Sequence, residues 1–118
     1  MLNKYLKYLQ EDYMSFNHII RTLNNKLSQL KKQRKKETKI RCSRGKNYKE
    51  KTLCMIKEDA VTYNIMAVYI KQNIHQCKIK ELTSQGQDKK CLAFFYKMEK
   101  KYKDAAAKKQ ILYNKGKK

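Results

Sequence analysis

The chain has 118 residues, with 30 Lys+Arg against 10 Asp+Glu for a formal charge of +20, and it holds no Pro, no Trp and only three Gly. That length allows one domain at most, and a hydrophobic fraction of 41% is enough to build a core, which excludes low-complexity disorder. With Pro absent and Gly confined to positions 45, 86 and 116, the chain lacks the turn punctuation of sandwiches and barrels, so the expected fold is all-α: three long helices in an up-down-up antiparallel arrangement.

The first helix is expected over about 2–40. Leu2, Leu6, Leu9, Tyr13, Phe16, Ile20, Leu23, Leu27 and Leu30 recur at alternating spacings of four and three, which is a coiled-coil seam. The seam stops at Arg34, and a solvated basic extension is expected from there towards Ile40, before the CSRGKNY stretch with its Gly45 turns the chain.

A second helix is expected over about 51–82, with its seam at Leu53, Ile56, Ala60, Tyr63, Ala67, Ile70, Ile74 and Cys77. A further stripe of Cys54, Val61, Ile65 and Val68 lies on another face, as a middle helix packed between two others requires. The TSQGQD segment then supplies turn and N-cap chemistry through Ser84, Gly86 and Asp88. The third helix is expected over about 88–113, with Cys91, Phe95, Met98, Tyr102, Ala105 and Leu112 on its seam, Lys109 as the one polar member, and a short basic tail after it.

Facing residues of an antiparallel hairpin have position numbers with a nearly constant sum. The second and third seams satisfy this for Cys77 with Cys91, Ile74 with Phe95, Ile70 with Met98, Ala67 with Tyr102, Tyr63 with Ala105 and Ile56 with Leu112. The same test on the first two helices pairs Leu30 with Ile65 and Leu27 with Val68, and brings Cys42 level with Cys54. In that register Leu2, Leu6 and Leu9 extend past the Gly86 turn without intrachain cover, which makes them candidate partner-binding residues; pairing of this helix with its own copy is the alternative.

The four cysteines are spaced C-x11-C-x22-C-x13-C, without the short ligand turns of structural zinc sites, so no metal is expected. Cys42 and Cys54 flank the first turn and Cys77 and Cys91 the second, so each pair is a candidate disulfide stapling one hairpin. The alternative is four reduced thiols acting as small apolar seam residues. Paired cysteines across a hairpin resemble the twin-cysteine helical hairpins of the mitochondrial intermembrane space. That family repeats C-x9-C in both helices of one hairpin, whereas Cys54 and Cys77 are 23 residues apart on one expected helix, ~34 Å along its axis, so the family is not adopted.

No catalytic constellation is present. His18 and His75 have no carboxylate pair or cysteine at ligand spacing, Glu11–Asp12 and Glu58–Asp59 are sequence neighbours that splay around a helix, and phosphate loops, nucleophile elbows and H-E-x-x-H are missing. The protein is therefore expected not to be an enzyme, and no cofactor is expected. The longest apolar run, 65–70, is far short of the ~20 residues of a membrane span. The N-terminal MLNKYLKYLQEDYM has neither the apolar core nor the cleavage site of a secretory signal.

Charge is the remaining signal. Four of the basic residues are Arg (21, 34, 41, 44) and the other 26 are Lys, which favours general attraction to an anionic surface over bidentate readout. Residues 31–51 carry eleven basic and two acidic side chains, and 97–118 carry nine and two. In the expected topology both stretches meet at one end. The candidate polyanion-binding residues are Lys31, Lys32, Arg34, Lys35, Lys36, Lys39, Arg41, Arg44, Lys46, Lys108 and Lys109, with Tyr48 or Tyr113 available to stack on a base. The function expected is a structural subunit of a large assembly. Its basic end would dock on ribosomal RNA, or on anionic lipid or an acidic protein surface, and helix 1 on a neighbouring subunit. The alternative is an accessory subunit of a mitochondrial respiratory or ATP-synthase complex on the intermembrane-space side, held by two disulfides. A mitochondrial location is expected, with cytosolic ribosome association as its alternative.

Overall fold

A computed structural model of the protein describes residues 16–117, and helices that pack against one another make up nearly all of it, with no strand among the described residues. The elements are α1 (Phe16–Cys42), α2 (Tyr48–Gln72), a 3-10 turn (Ile74–Lys78), α3 (Lys80–Ser84) and α4 (Asp88–Lys117). Leu2, Leu6 and Leu9, with the first part of the expected helix 1, lie outside the described residues.

Four helices stand where three were expected, because the second ends at Gln72 instead of running to 82. Asn73 is the cause. Its Nδ2 donates to the Tyr69 carbonyl at 2.8 Å and its Oδ1 accepts from Gln76 Nε2 at 3.1 Å, local bonds that compete with the helical ladder. The chain then passes through the 3-10 turn, and extended Ile79 starts α3. The detour turns Leu82 into the interior, where it is fully buried at the end of the core.

The element ends follow local chemistry. Asn47 caps α2 by accepting from the Glu50 backbone N–H at 2.8 Å, while the Glu50 carboxylate accepts from the Lys46 backbone N–H at 2.7 Å. Gly86, at φ 72°, closes α3. Gln87 N–H bonds to the Leu82 carbonyl at 2.8 Å and Gly86 N–H to that of Thr83 at 3.1 Å, the paired bonds of a Schellman terminus, which requires a left-handed residue.

Contacts between α2 and α4 run antiparallel along their length, through stacked Tyr63 and Tyr102 rings 6.0 Å apart, Lys109 against Asp59, and Gly116 against Leu53, and the Cys77–Cys91 disulfide ties the 3-10 turn to the start of α4. The core is concentrated towards the Cys77–Cys91 end. There Ile19, Leu23 and Leu27 of α1 meet Met66 and Ile70 of α2, Leu82, and Phe95 of α4, and Phe16 meets Phe94 edge to face at 6.5 Å.

Two seams differ from the heptad expectation. On α4 the buried line runs through Cys91, Phe95 and Ala106, while Leu112, expected opposite Ile56, is half exposed, and Tyr113 and Gly116 face α2 in its place. A straight α-helix drifts ~20° per heptad, so over three heptads the contact line passes to the next residue. On α1 the buried line does not stop at Leu27. It continues through Arg34, Thr38 and Cys42, so the basic extension is solvated on one side only. The face of α2 that α1 covers holds Cys54, Glu58 and Thr62, which leaves Val61, Ile65 and Val68 exposed.

Candidate functional site

Both disulfides join residues across turns, Cys42 with Cys54 at a Cα–Cα distance of 5.5 Å and Cys77 with Cys91 at 5.4 Å. The first fixes the C-terminal end of α1 beside the start of α2. The contacts of Leu53 with Gly116 and of Lys57 with the Tyr113 ring bring the C-terminal end of α4 to the same place. The two basic stretches of the sequence therefore converge on one end of the molecule.

The basic side chains at this end divide by partner. Arg34 and Arg41 both donate to Glu58, Arg34 through Nη2 to Oε2 and Arg41 through Nη1 to Oε1 at 3.0 Å. Arg34 Nε also donates to Thr62 Oγ1 at 3.3 Å, and Thr62 in turn donates to the Glu58 carbonyl at 2.9 Å. The Arg34 and Glu58 side chains are each 13% exposed and that of Arg41 is 57% exposed, so this cluster is a largely shielded ion pair between α1 and α2 with one solvent-facing arm. Burial pushes the Glu58 carboxyl up, but hydrogen bonds from Arg41 and Arg34, with the charges behind them, outweigh it and hold the group below the ordinary Glu range. Lys109 pairs with Asp59 at 3.5 Å, linking α4 to α2. Glu58 and Asp59 splay as neighbours on a helix must, one to α1 and the other to α4.

Lys31, Lys32, Lys35, Lys36, Lys39, Arg44, Lys46 and Lys108 are exposed and have no carboxylate at ion-pair distance among the described residues. Of these, Lys31, Lys35 and Lys39 line one wall of a cleft of about 540 Å³ over α2. Thr38 completes that wall, and the floor is Met55, Asp59, Thr62 and Tyr63. Two of the floor residues also contact α4, Asp59 through Lys109 and Tyr63 through Tyr102. Met55 is 48% exposed at the cleft floor, a large apolar side chain left open to solvent. Tyr48, 84% exposed, stands beside Lys46 and Lys49 at the start of α2, whereas the Tyr113 ring lies under the Lys57 and Lys117 ammonium groups at 5.5 and 5.9 Å.

The sequence reading missed Met55, Glu58, Asp59, Thr62 and Tyr63 as parts of this end. The register that paired Cys42 with Cys54 already places Glu58 between the levels of Arg34 and Arg41, which is the signal that would have found the clamp. The histidines take local partners: His75 Nδ1 lies 3.0 Å from the Gln72 carbonyl and His18 Nε2 lies 3.4 Å from Thr22 Oγ1. Among the described residues no group of His, Cys, Asp and Glu could hold a metal ion, and no helix is long and apolar enough to cross a membrane.

Comparison with protein-family models, curated proteins and solved structures returns no match for this chain.

Proposed function

We propose that the protein is a non-enzymatic structural subunit of a larger assembly, an up-down-up helical module whose lysine-rich end docks on an anionic surface while Leu2, Leu6 and Leu9 meet a neighbouring protein. The observation that carries this reading is the convergence of the unpaired lysines of α1 with the basic end of α4 at one end of a charge-excess chain. A charge of +20 on 118 residues repels itself, and a permanent acidic partner relieves that repulsion. Of the arginines, which give bidentate recognition, Arg34 and Arg41 are engaged by Glu58, and Arg44 is the one left unpaired among the lysines of this end. Recognition then rests mainly on point charges.

Two settings each have an observation in their favour. Two disulfides favour an oxidising compartment and hence the accessory subunit of a respiratory or ATP-synthase complex on the intermembrane-space side, meeting cardiolipin or an acidic subunit. Exposed Tyr48 among lysines favours ribosomal RNA, with the ring stacking on an unpaired base.

Binding of the oxidised full-length protein to structured RNA and to cardiolipin vesicles across a salt series tests the reading. Affinity for one of the two that falls steeply with log[salt], and falls further when Lys32, Lys36, Arg44 and Lys46 become Gln, is the expected result. Wild-type affinity of that variant for both ligands overturns the docking reading.

A further inference from the structure

The cleft over α2 differs from the rest of the basic end. A smaller groove is lined by Lys32, Lys35, Lys36 and Lys39 alone, whereas Lys31, Lys35 and Lys39 rim a concavity whose floor includes Met55 and Tyr63. The three lysines lie at i, i+4 and i+8 on α1, so their stems recur every ~6 Å along ~12 Å of wall. Carboxylates on successive turns of a second helix recur at the same interval. An apolar floor beside a straight row of cations is complementary to a helix carrying an apolar stripe flanked by a row of acids.

The same features decide against other occupants. A lipid headgroup presents one compact anionic centre, which a cluster of cations suits better than a row. A nucleic-acid backbone offers nothing to Met55. A second copy of this chain is unsuitable on charge and on sequence: it carries +20, and none of its acidic residues (11, 12, 37, 50, 58, 59, 81, 88, 99, 104) lies three or four positions from another. Asp59, the one acid on the floor, is held by Lys109 and leaves the wall lysines unpaired.

We propose that this cleft is the receptor groove for an acidic amphipathic helix of a partner protein, which seats its apolar stripe on Met55 and Tyr63 and its carboxylates along Lys31, Lys35 and Lys39. The bound helix completes a fourth position beside α1, α2 and α4 at the end where the core is thinnest. This deepens the docking reading, and depends on it only in that the protein acts by contact.

The test uses the oxidised full-length protein and a fluorescent synthetic helical peptide of roughly 18 residues, five turns, with Glu on three successive turns beside a Leu stripe. Affinity is measured by anisotropy at ~0.15 M salt, where exposed charges beyond a Debye length are screened. Met55→Asp and the triple Lys31/Lys35/Lys39→Gln variant are each expected to weaken binding at least about tenfold, because they remove the apolar seat and the charge row respectively. A scrambled peptide of equal composition is expected to lose a similar factor. Both variants change exposed residues, and unaltered circular dichroism confirms that they fold. Equal binding of the scrambled peptide, or wild-type affinity in Met55→Asp, overturns the proposal. So does Met55-dependent binding of phosphatidylglycerol vesicles without peptide binding, which would make a lipid chain the occupant. The Lys32/Lys36/Arg44/Lys46→Gln variant is expected to keep peptide affinity within about threefold. If that variant also binds RNA and cardiolipin like wild type, the docking reading fails while the groove stands.

Discussion

Replacing Glu58 by Gln probes the clamp that joins α1 to α2. Gln keeps the shape of the side chain and removes its charge, so the Arg34 guanidinium, on a side chain 13% exposed, loses its nearest anion while Thr62 Oγ1 at 3.3 Å and Glu37 at 3.4 Å remain as partners. Breaking a fully buried ion pair costs about 3–5 kcal/mol because the surviving charge stays desolvated. The residual exposure and the two remaining partners reduce this to about 2–3 kcal/mol. For a chain of this length the unfolding entropy is roughly 0.25 kcal/mol/K near 60 °C, so the midpoint should fall by about 8–12 °C. Arg41 is the control. Its side chain is 57% exposed and returns to water on removal, so Arg41→Gln should cost under about 1 kcal/mol.

Thermal melts followed by circular dichroism from pH 7 to pH 2.5 give a second readout. The folded Glu58 carboxyl titrates below its unfolded value of about 4.3, so its stabilisation is present above that pH and is lost as the pH falls through the folded value. The gap between wild type and Glu58→Gln should therefore be full at pH 7 and close in acid. Equal midpoints at pH 7, or a gap that stays constant to pH 2.5, would refute the clamp.

Other perturbations follow from the same packing. Ile70 is fully buried, so Ile70→Asp should abolish the cooperative melt and Ile70→Ala should cost about 2–5 kcal/mol by denaturant titration. Converting Cys77 and Cys91 together to Ala should cost about 3 kcal/mol from the lost loop constraint, with a further penalty for the space left around two fully buried positions. The double Cys42/Cys54→Ala variant should lose about the same loop contribution, since the sequence separations are 14 and 12. Gly86→Ala should lower stability by about 1 kcal/mol although nothing lies within 4 Å of the added carbon, because φ is +72° there; an unchanged midpoint would show that the turn relaxes.

The helical class and both cysteine pairs were legible in the sequence, because hydrophobic spacing and a constant position sum are local and arithmetic. The break after Gln72 was not, since the Ile74 and Cys77 seam positions read on through Asn73 without a miss. Only the side-chain bonds of Asn73 reveal why the backbone leaves the helix. Leu112 misled for a different reason: a strict heptad carried over three repeats ignores the drift of a straight helix, which hands the contact to Tyr113 and Gly116. Charge counting located the basic end, yet it could not separate Arg34 and Arg41, which are paired with Glu58, from Lys32 and Lys36, which face solvent without a carboxylate partner. That separation is a matter of helix face, and it turns eleven candidate cations into a structural clamp, a lysine-rimmed cleft and an outer surface.

The claim on which the rest depends is that both hairpins are stapled, because the Cys42–Cys54 bridge sets α1 against α2 at the basic end and the Cys77–Cys91 bridge closes the core end. Alkylation of the natively purified protein under quenching conditions, followed by non-reducing peptide mapping in a mass spectrometer, tests it directly. The expected map contains two cross-linked peptide pairs, Cys42 with Cys54 and Cys77 with Cys91, and no alkylated cysteine. A bridge joining Cys42 or Cys54 to Cys77 or Cys91 would contradict the stapled fold, and four alkylated thiols would contradict both that fold and the oxidising compartment.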